Sequence, residues 1–227
     1  MMRKLFNALT LIAFSWPTFA IDIGSATTIM EPSIDFLTKT VTNNNETTKI
    51  YEVQVKKITN PTVNGLPIDM PAGELLYSPK RFVLRAGQQQ NVKIFYKGEP
   101  DHQERYYWLT FIESPAAQLA TKENTAATGT QEMKLALALQ SILVVRPRQV
   151  HFQYQLNQTV GNIINTGNTY FEFMVKQGCE QSDIEADSKY LLPGETYRNT
   201  KISQSGNQKL IVYQSRFIAV GKDCWPD

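Results

Sequence analysis

The sequence predicts an all-β fold, and three observations support the prediction. Short runs rich in β-branched and aromatic residues recur along the chain, several of them alternate apolar with polar residues, and clusters of Asn, Gly and Pro separate them. Residues two apart in a strand share one face, so this alternation buries one side of a sheet. Many short strands with turns between them are typical of a β-sandwich.

The first 20 residues are predicted to be a cleaved signal peptide. Arg3 and Lys4 precede a mostly apolar run over 5–16, and Thr18-Phe19-Ala20 supplies small residues where a signal peptidase reads the chain. This run is shorter than the ~20 residues of a membrane span, although an uncleaved anchor is the alternative. Removing 20 of the 227 residues leaves 207. We therefore expect a secreted or periplasmic chain with no integral membrane segment.

The charge balance gives no reason to expect a nucleic-acid partner. The full chain has 23 Lys and Arg against 21 Asp and Glu. Loss of Arg3 and Lys4 leaves 21 of each, so the exported chain is formally neutral. Domains that bind nucleic acid usually carry a basic patch and a high pI.

The first half of the chain contains six predicted strands, each followed by a turn or a break. They cover 36–42, 50–58, 75–79, 82–84, 91–96 and 106–112. The pattern stops at Ser114, where residues 114–130 are small, polar and unpatterned. We expect a loop there, with Ser114-Pro115 able to cap one helical turn.

A long alternating strand is predicted over 132–148. Its helix-forming residues favour a helix by propensity, but positions two apart point in very different directions on a helix. Periodicity therefore favours a strand, and the half at 142–145, which is apolar on both faces, should be buried. The large apolar side chains of the first half, called the ridge below, are Met133, Leu135, Leu137 and Leu139. The ridge is either part of an ordinary core strand or a surface lent to another protein.

Arg146-Pro147-Arg148 ends this strand, because proline cannot donate a ladder hydrogen bond. A second β-domain is predicted beyond it, with strands at 150–154, 170–175 and 208–213. The predicted division is 1–20 for the signal peptide, 21–146 for the N-terminal domain and 147–227 for the C-terminal domain.

Cys179 and Cys224 are the only cysteines, and in an exported chain they are predicted to form a disulfide. Such a bond is worth roughly 4 kcal/mol in the chain-entropy model. A reactive thiol or a metal site is the alternative, but neither His102 nor His151 lies at metal-ligand spacing from a cysteine. We expect no metal and no cofactor.

An enzyme is the weaker functional hypothesis. The sequence has no nucleophile elbow, phosphate-binding glycine loop or zinc-helix motif. Asp101-His102 lies in a polar turn, where a solvated histidine is expected rather than a catalytic base. No catalytic residues are predicted.

Several segments, taken in order, resemble the periplasmic chaperones of the chaperone–usher pathway that assembles bacterial pili. The residues in these segments are most similar to those of the alternate class, which serves common-pilus and colonisation-factor fimbriae. The matching segments are ELLYSP at 74–79, FVLRAGQ at 82–88, NVKIFYKG at 91–98, ERYY at 104–107, SILVVRPRQ at 141–149, NTGN at 165–168 and LLPGE at 191–195.

The resemblance implies two immunoglobulin-like β-sandwich domains and a non-enzymatic function. Chaperones of this family cap pilus subunits that lack a strand, by donating one of their own, and deliver them to an outer-membrane usher. The ridge would then be the donor strand, and pilus subunits and the usher would be the partners. A secreted immunoglobulin-like pilus subunit or adhesin is the alternative, but it should present its donor strand at its N-terminus.

The sequence departs from the family at the residues that hold the subunit's terminal carboxylate. Many members use a basic residue in the first strand and another in the long strand, where this chain has Thr27 and Ile142. Arg146 matches a family arginine at the domain joint. Its expected acidic partner falls at Arg216, which leaves Glu104 as a possible partner. Arg146 and Arg148 are each candidates for a carboxylate anchor or for a residue of the joint.

Overall fold

The structure, a computed structural model, describes residues 21–62, 64–116 and 136–224. The predicted signal peptide lies outside these ranges, as do Met133 and Leu135 of the ridge and nearly all of the predicted loop. Leu137 and Leu139 lie inside them. Within the described residues, no helix combines the length and the apolar character that crossing a bilayer requires.

Two sheets form the first immunoglobulin-like sandwich. One has four strands, in the spatial order β1 (Ile21–Asp22), β3 (Phe36–Asn43), β8 (Gln89–Tyr96) and β6 (Leu75–Ser78). The other has six strands, in the order β2 (Thr27–Met30), β10 (Leu137–Val145), β9 (Arg105–Pro115), β4 (Lys49–Ile58) and β5 (Pro67–Ile68), with β7 (Arg81–Leu84) also paired to β4.

Alternating apolar residues along the strands form the core of this sandwich, as the sequence predicts. In β8, Val92, Ile94 and Tyr96 are buried against the facing sheet, while Lys93 between them is exposed. Apolar side chains from both sheets meet in this way and form one continuous core. Burial of that apolar surface is the main force that holds the two sheets together.

The start of the chain contributes one strand to each sheet. β1 pairs antiparallel with β3, and β2 pairs parallel with β10. Between them, the buried ammonium of Lys39 donates to the carbonyl of Ser25 and, at 3.2 Å, to the Thr28 hydroxyl. Burial lowers the pKa of Lys39. These contacts fix the point at which the chain crosses from one sheet to the other.

The second immunoglobulin-like sandwich has a three-stranded and a four-stranded sheet, with the short helix α1 (Thr200–Ser203) beside them. The first sheet contains β11 (Tyr154–Asn157), β12 (Asn162–Asn165) and β15 (Thr196–Arg198). The second contains β14 (Asp187–Leu191), β13 (Phe171–Val175), β16 (Lys209–Tyr213) and β17 (Arg216–Ala219), in that order. Its core includes Ile163, Phe171, Phe173 and Ile211.

The predicted disulfide between Cys179 and Cys224 is confirmed, with Cα atoms 5.3 Å apart. Beside it, the fully buried ammonium of Lys209 lies 2.7 Å from a carboxylate oxygen of Asp223. This hydrogen bond holds the pKa of Asp223 below its ordinary value. The disulfide therefore ties down the segment that carries the counter-ion of a buried cation.

Two predicted boundaries are wrong. The loop predicted from Ser114 does not begin there, because β9 continues to Pro115, which pairs with Lys49. Proline is tolerated there since it is the last residue of the strand. The strand predicted at 150–154 instead covers Tyr154–Asn157. The preceding segment bonds to the turn at 166–168, where the Thr166 amide donates to the Gln153 carbonyl at 3.0 Å.

Candidate functional site

β10 is paired along its whole length on one side and along only part of it on the other. β9 pairs with every residue from Leu137 to Val145, whereas β2 pairs only with Ile142 to Val145. The Ile142 amide donates to the Ala26 carbonyl at 2.8 Å, so the backbone groups of Ile142 point toward the β2 side of β10. Backbone groups two apart point to the same side of a strand. Among the described residues, those of Ala138 and Gln140 therefore face an edge that no strand occupies.

The ridge continues the core face of the six-stranded sheet, meaning the face turned toward the four-stranded sheet. Leu143 and Ser141 on this face are buried, Leu139 is half-buried against the core, and Leu137 is 41 % exposed. The apolar face of β10 thus runs out of the core and becomes accessible toward Leu137. Met133 and Leu135 lie outside the described residues.

The two positions at which the family's basic anchors are missing are direct neighbours. Thr27 and Ile142 are paired residues at the first step of the β2–β10 ladder, where the open edge ends. Thr27 lines a cleft of about 540 Å3 between the two sandwiches, together with Val144 from the first and Tyr170 and Lys189 from the second. Of these two positions, Thr27 lines the cleft and Ile142 does not, and Lys189 and Glu195 contribute charged side chains to the cleft wall.

Arg146 and Glu104 are brought together at the joint between the sandwiches. Their side chains are almost fully buried, and an Arg146 guanidinium nitrogen lies 2.6 Å from a Glu104 carboxylate oxygen. Arg146 also donates to the Thr169 hydroxyl and, at 3.0 Å, to the Tyr170 carbonyl, and its guanidinium lies 4.4 Å from the centre of the Tyr170 ring. A buried charge is stable only when it is paired and hydrogen-bonded in this way.

Glu104 completes the joint from the other side. Its carboxylate accepts hydrogen bonds from the Tyr170 amide at 3.0 Å, the Thr169 hydroxyl at 2.7 Å and the Tyr106 hydroxyl at 2.7 Å. Burial and the nearby Glu104 charge raise the pKa of Tyr106. One carboxylate of the first sandwich is thus bonded to two consecutive residues of the second.

Arg148 is bonded to backbone of the first sandwich. Its guanidinium donates to the carbonyls of Pro32 at 2.9 Å and Ile34 at 2.5 Å, and it lies 5.3 Å from the centre of the Tyr96 ring. These bonds connect the segment after β10 to the loop between β2 and β3.

Sequence reasoning missed the parallel β2–β10 ladder and the contribution of Lys189 to the cleft. The β-branched run at Thr27–Met30 indicates a strand, but nothing in it identifies β10 as the partner. Lys189 lies between Ser188 and Tyr190 on β14. This local sequence predicts an exposed lysine and indicates no binding site. The sequence predicts Tyr170 only as the start of a strand, and no pattern singles out Thr169.

The described residues thus form two immunoglobulin-like sandwiches, and part of β10 in the first of them has an unpaired edge. Residues 20–151 match the family described as pili and flagellar-assembly chaperone, PapD N-terminal domain. The chain belongs to this family.

Curated relatives agree with that assignment, and solved structures share the fold. The probable fimbrial chaperone EcpE of Escherichia coli O127:H6 is 36 % identical over 207 residues, which cover 91 % of this chain and 86 % of the relative. The probable fimbrial chaperone EcpB of Escherichia coli strain SMS-3-5 is 26 % identical, covering 97 % and 100 %. The class 5 fimbriae chaperone CfaA shares the fold, with a TM-score of 0.54, 15 % identity and coverage of 89 % and 93 %.

Proposed function

We propose that this protein is a periplasmic chaperone that binds, folds and caps pilus subunits by donor-strand complementation and delivers them to an outer-membrane usher. The observation that carries the proposal is the open edge of β10 at Leu137 to Ser141, next to an exposed part of the ridge. The predicted signal peptide and the disulfide support the periplasm as the location.

The open edge supplies backbone hydrogen bonds to a subunit that lacks a strand. Ala138 and Gln140 direct their amide and carbonyl groups outward, so an added strand of the subunit can continue the ladder. The two strands would then satisfy each other's unpaired backbone groups.

The ridge supplies the apolar side chains that the unfinished core of the subunit needs. Met133, Leu135, Leu137 and Leu139 occupy alternate positions, which matches the spacing of pockets along a sheet. Burying four such side chains stabilises a complex by roughly 6–12 kcal/mol before the costs of association and ordering. Leu139 should contribute least, because it already packs against the chaperone's own core.

Arg146 and Arg148 are proposed as residues of the domain joint rather than as carboxylate anchors. The charge of Arg146 is paired with Glu104 at 2.6 Å, and Arg148 donates to the carbonyls of the β2–β3 loop. A terminal carboxylate of the subunit would have to displace those partners. Lys189, which is exposed on the cleft wall, is the basic group that we propose for this role.

We also propose the domain division 21–146 and 147–227. Strands β1 to β10, which form the first two sheets, end at Val145, and strands β11 to β17 of the other two begin at Tyr154. Arg146 belongs with the first domain because its backbone amide donates to the carbonyl of Met30 in β2, at 3.0 Å.

The proposal is tested by co-expressing the chaperone with candidate pilus subunits. The wild type should give a soluble one-to-one complex. The double variant Leu135→Glu/Leu137→Glu should give no complex while remaining folded, because charged side chains cannot enter an apolar groove. Circular dichroism and size-exclusion chromatography measure the two properties.

A matched control places the same substitutions on exposed apolar residues away from β10. Leu76 and Val83 are 49 % and 52 % exposed, on β6 and β7. Leu76→Glu/Val83→Glu should still capture the subunit. Capture by the ridge double variant, or unfolding of that variant alone, would contradict the proposed donor strand.

A further inference from the structure

A buried carboxylate lies beside the exposed part of the ridge. Glu113 on β9 is only 6 % exposed, and its carboxylate accepts hydrogen bonds from the Tyr51 hydroxyl at 2.9 Å and the Asn45 side-chain amide at 3.0 Å. The ammonium of Lys49 lies 3.6 Å away. Burial and the hydrogen bond to Glu113 raise the pKa of Tyr51. These four residues, called the polar plug below, fill one end of the first sandwich.

The register places the polar plug directly next to Leu137. Glu113 is paired with Tyr51 on one side and with Leu137 on the other, so the three side chains form one row across the core face. The next row inward is apolar, because Phe111 is paired with Val53 and with Leu139.

Exposure of the β10 side chains changes between these two rows. Leu139 beside the apolar Phe111 is half-buried in the core, whereas Leu137 beside Glu113 is 41 % exposed. A leucine that folded over the plug would remove remaining water from a carboxylate and from Lys49, which is costly. The row that contains the carboxylate therefore disfavours burial of its neighbour.

We propose that the polar plug keeps Leu137 out of the chaperone's own core and so keeps the ridge free for the subunit. Glu113 is then a positioning residue, which acts through Leu137 without touching the subunit. This inference rests on the proposed function. It also gives a reason for the buried charge of Glu113, because apolar residues of similar volume often stabilise a fold as well as a buried ion pair does.

The other end of the same sandwich provides a matched comparison. Glu74 is also 6 % exposed, accepts a hydrogen bond from the Tyr107 hydroxyl at 2.6 Å and forms an ion pair with Lys57 at 2.9 Å. Tyr107 is paired with Leu143, which is fully buried in the half of β10 that β2 covers. The two ends thus have similar chemistry, but only the plug adjoins an open edge.

The test replaces each polar pair by an apolar pair of similar shape. Tyr51→Phe/Glu113→Leu removes the plug, and Tyr107→Phe/Glu74→Leu makes the same change at the other end. Hydroxyl-radical footprinting with mass spectrometry measures the accessibility of Leu137, with Leu76 as an internal reference. Subunit capture is measured by competition against the wild type.

Removal of the plug should lower the oxidation of Leu137 toward that of Leu143 and leave Leu76 unchanged. Capture should weaken about tenfold, since the Leu137 side chain is then buried in the chaperone's own core and no longer contributes to binding. The change at the other end should alter neither measurement. Unchanged oxidation of Leu137 without the plug would overturn the proposal, as would reduced oxidation with full capture.

Folding failure also decides the question. If Tyr51→Phe/Glu113→Leu does not fold, Tyr51→Phe/Glu113→Met replaces it, because methionine adapts to irregular spaces. If neither folds while the variant at the other end does, the plug is required for the sandwich itself, and the positioning role is wrong. Capture that survives Leu135→Glu/Leu137→Glu would instead refute the proposed function, whatever the footprint of Leu137 shows.

Discussion

The two halves of β10 both carry leucine on the core face and have very different surroundings. From Leu137 to Gln140 the strand has one neighbour and a largely exposed surface, whereas from Ile142 to Val145 it has two neighbours and an almost fully buried surface. Composition separates the halves on one face only, since the face opposite the ridge carries Ala138 and Gln140 in the open half and apolar residues in the covered half. On the ridge face, what separates them is the second neighbour, β2, and the core that lies over each half.

One strand can therefore serve two cores. The half covered by β2 completes the first sandwich, and in the proposed function the open half completes the sheet of a pilus subunit. The covered half also continues into Arg146, which links the first sandwich to the second. This half should accordingly control stability, while the open half should control capture.

The largest effect is expected at the end of the covered half, where Arg146 meets Glu104. Glu104→Ala leaves a buried guanidinium without its counter-ion and should lower the free energy of unfolding by about 3–5 kcal/mol. Urea denaturation measures the change. Glu104→Ala/Arg146→Met should recover most of it, because both charges are then absent.

A surface ion pair is the control for this effect. Lys97 and Asp35 lie 4.0 Å apart and are 57 % and 65 % exposed. Asp35→Ala should change stability by less than about 0.5 kcal/mol. Equal effects at the two pairs would show that the joint does not hold the sandwiches together.

The next effect compares leucines from the two halves. Leu143→Ala should cost about 2–5 kcal/mol of stability, because it opens a cavity in a fully packed core. Leu137→Ala should change stability by no more than about 0.5 kcal/mol and should reduce capture instead. Denaturation measures the stability of both variants, and competition binding measures their capture of the subunit. A large stability loss for Leu137→Ala would erase the difference between the halves.

The smallest effect is electrostatic. Arg105, which is paired with Val145, donates two hydrogen bonds of 2.7 Å to the Asp101 carboxylate and lowers the pKa of Asp101 to about 2. A lowered carboxyl pKa stabilises the fold above the ordinary value of 3.8 and ceases to do so as the pH falls toward 2. The wild type should therefore lose more stability than Asp101→Asn between pH 5 and pH 2, as measured by urea denaturation. Parallel curves would contradict the expectation.

The fold was largely predictable because alternation in this chain is strong. Runs such as 91–96 and 50–58 alternate along most of their length, and the strands β8 and β4 cover them with boundaries shifted by at most two residues. The strand and turn pattern predicted a β-sandwich and a second β-domain, and the ordered resemblance to pilus chaperones predicted that both are immunoglobulin-like sandwiches. The disulfide followed from the presence of only two cysteines in an exported chain.

The site was less predictable, because its decisive features are pairings between distant segments. Alternation identifies the ridge, but the open edge exists only because β2 begins at Thr27 and reaches no further than the Ile142 position. Likewise, Glu113 reads as an isolated carboxylate in the sequence. Its contacts with Tyr51 and Asn45 depend on a register and a turn that local patterns do not encode.

The pairing of β1 and β2 bears on how the protein limits self-association through its sheet edges. β1 and β2 cover part of an edge in each sheet of the first sandwich, with two and four residues respectively. An uncovered sheet edge is a template for pairing with another copy, and such pairing leads to aggregation. Residues 21–30, with the Lys39 contacts that hold them, therefore shorten the stretch of sheet edge that another copy of the chain could pair with.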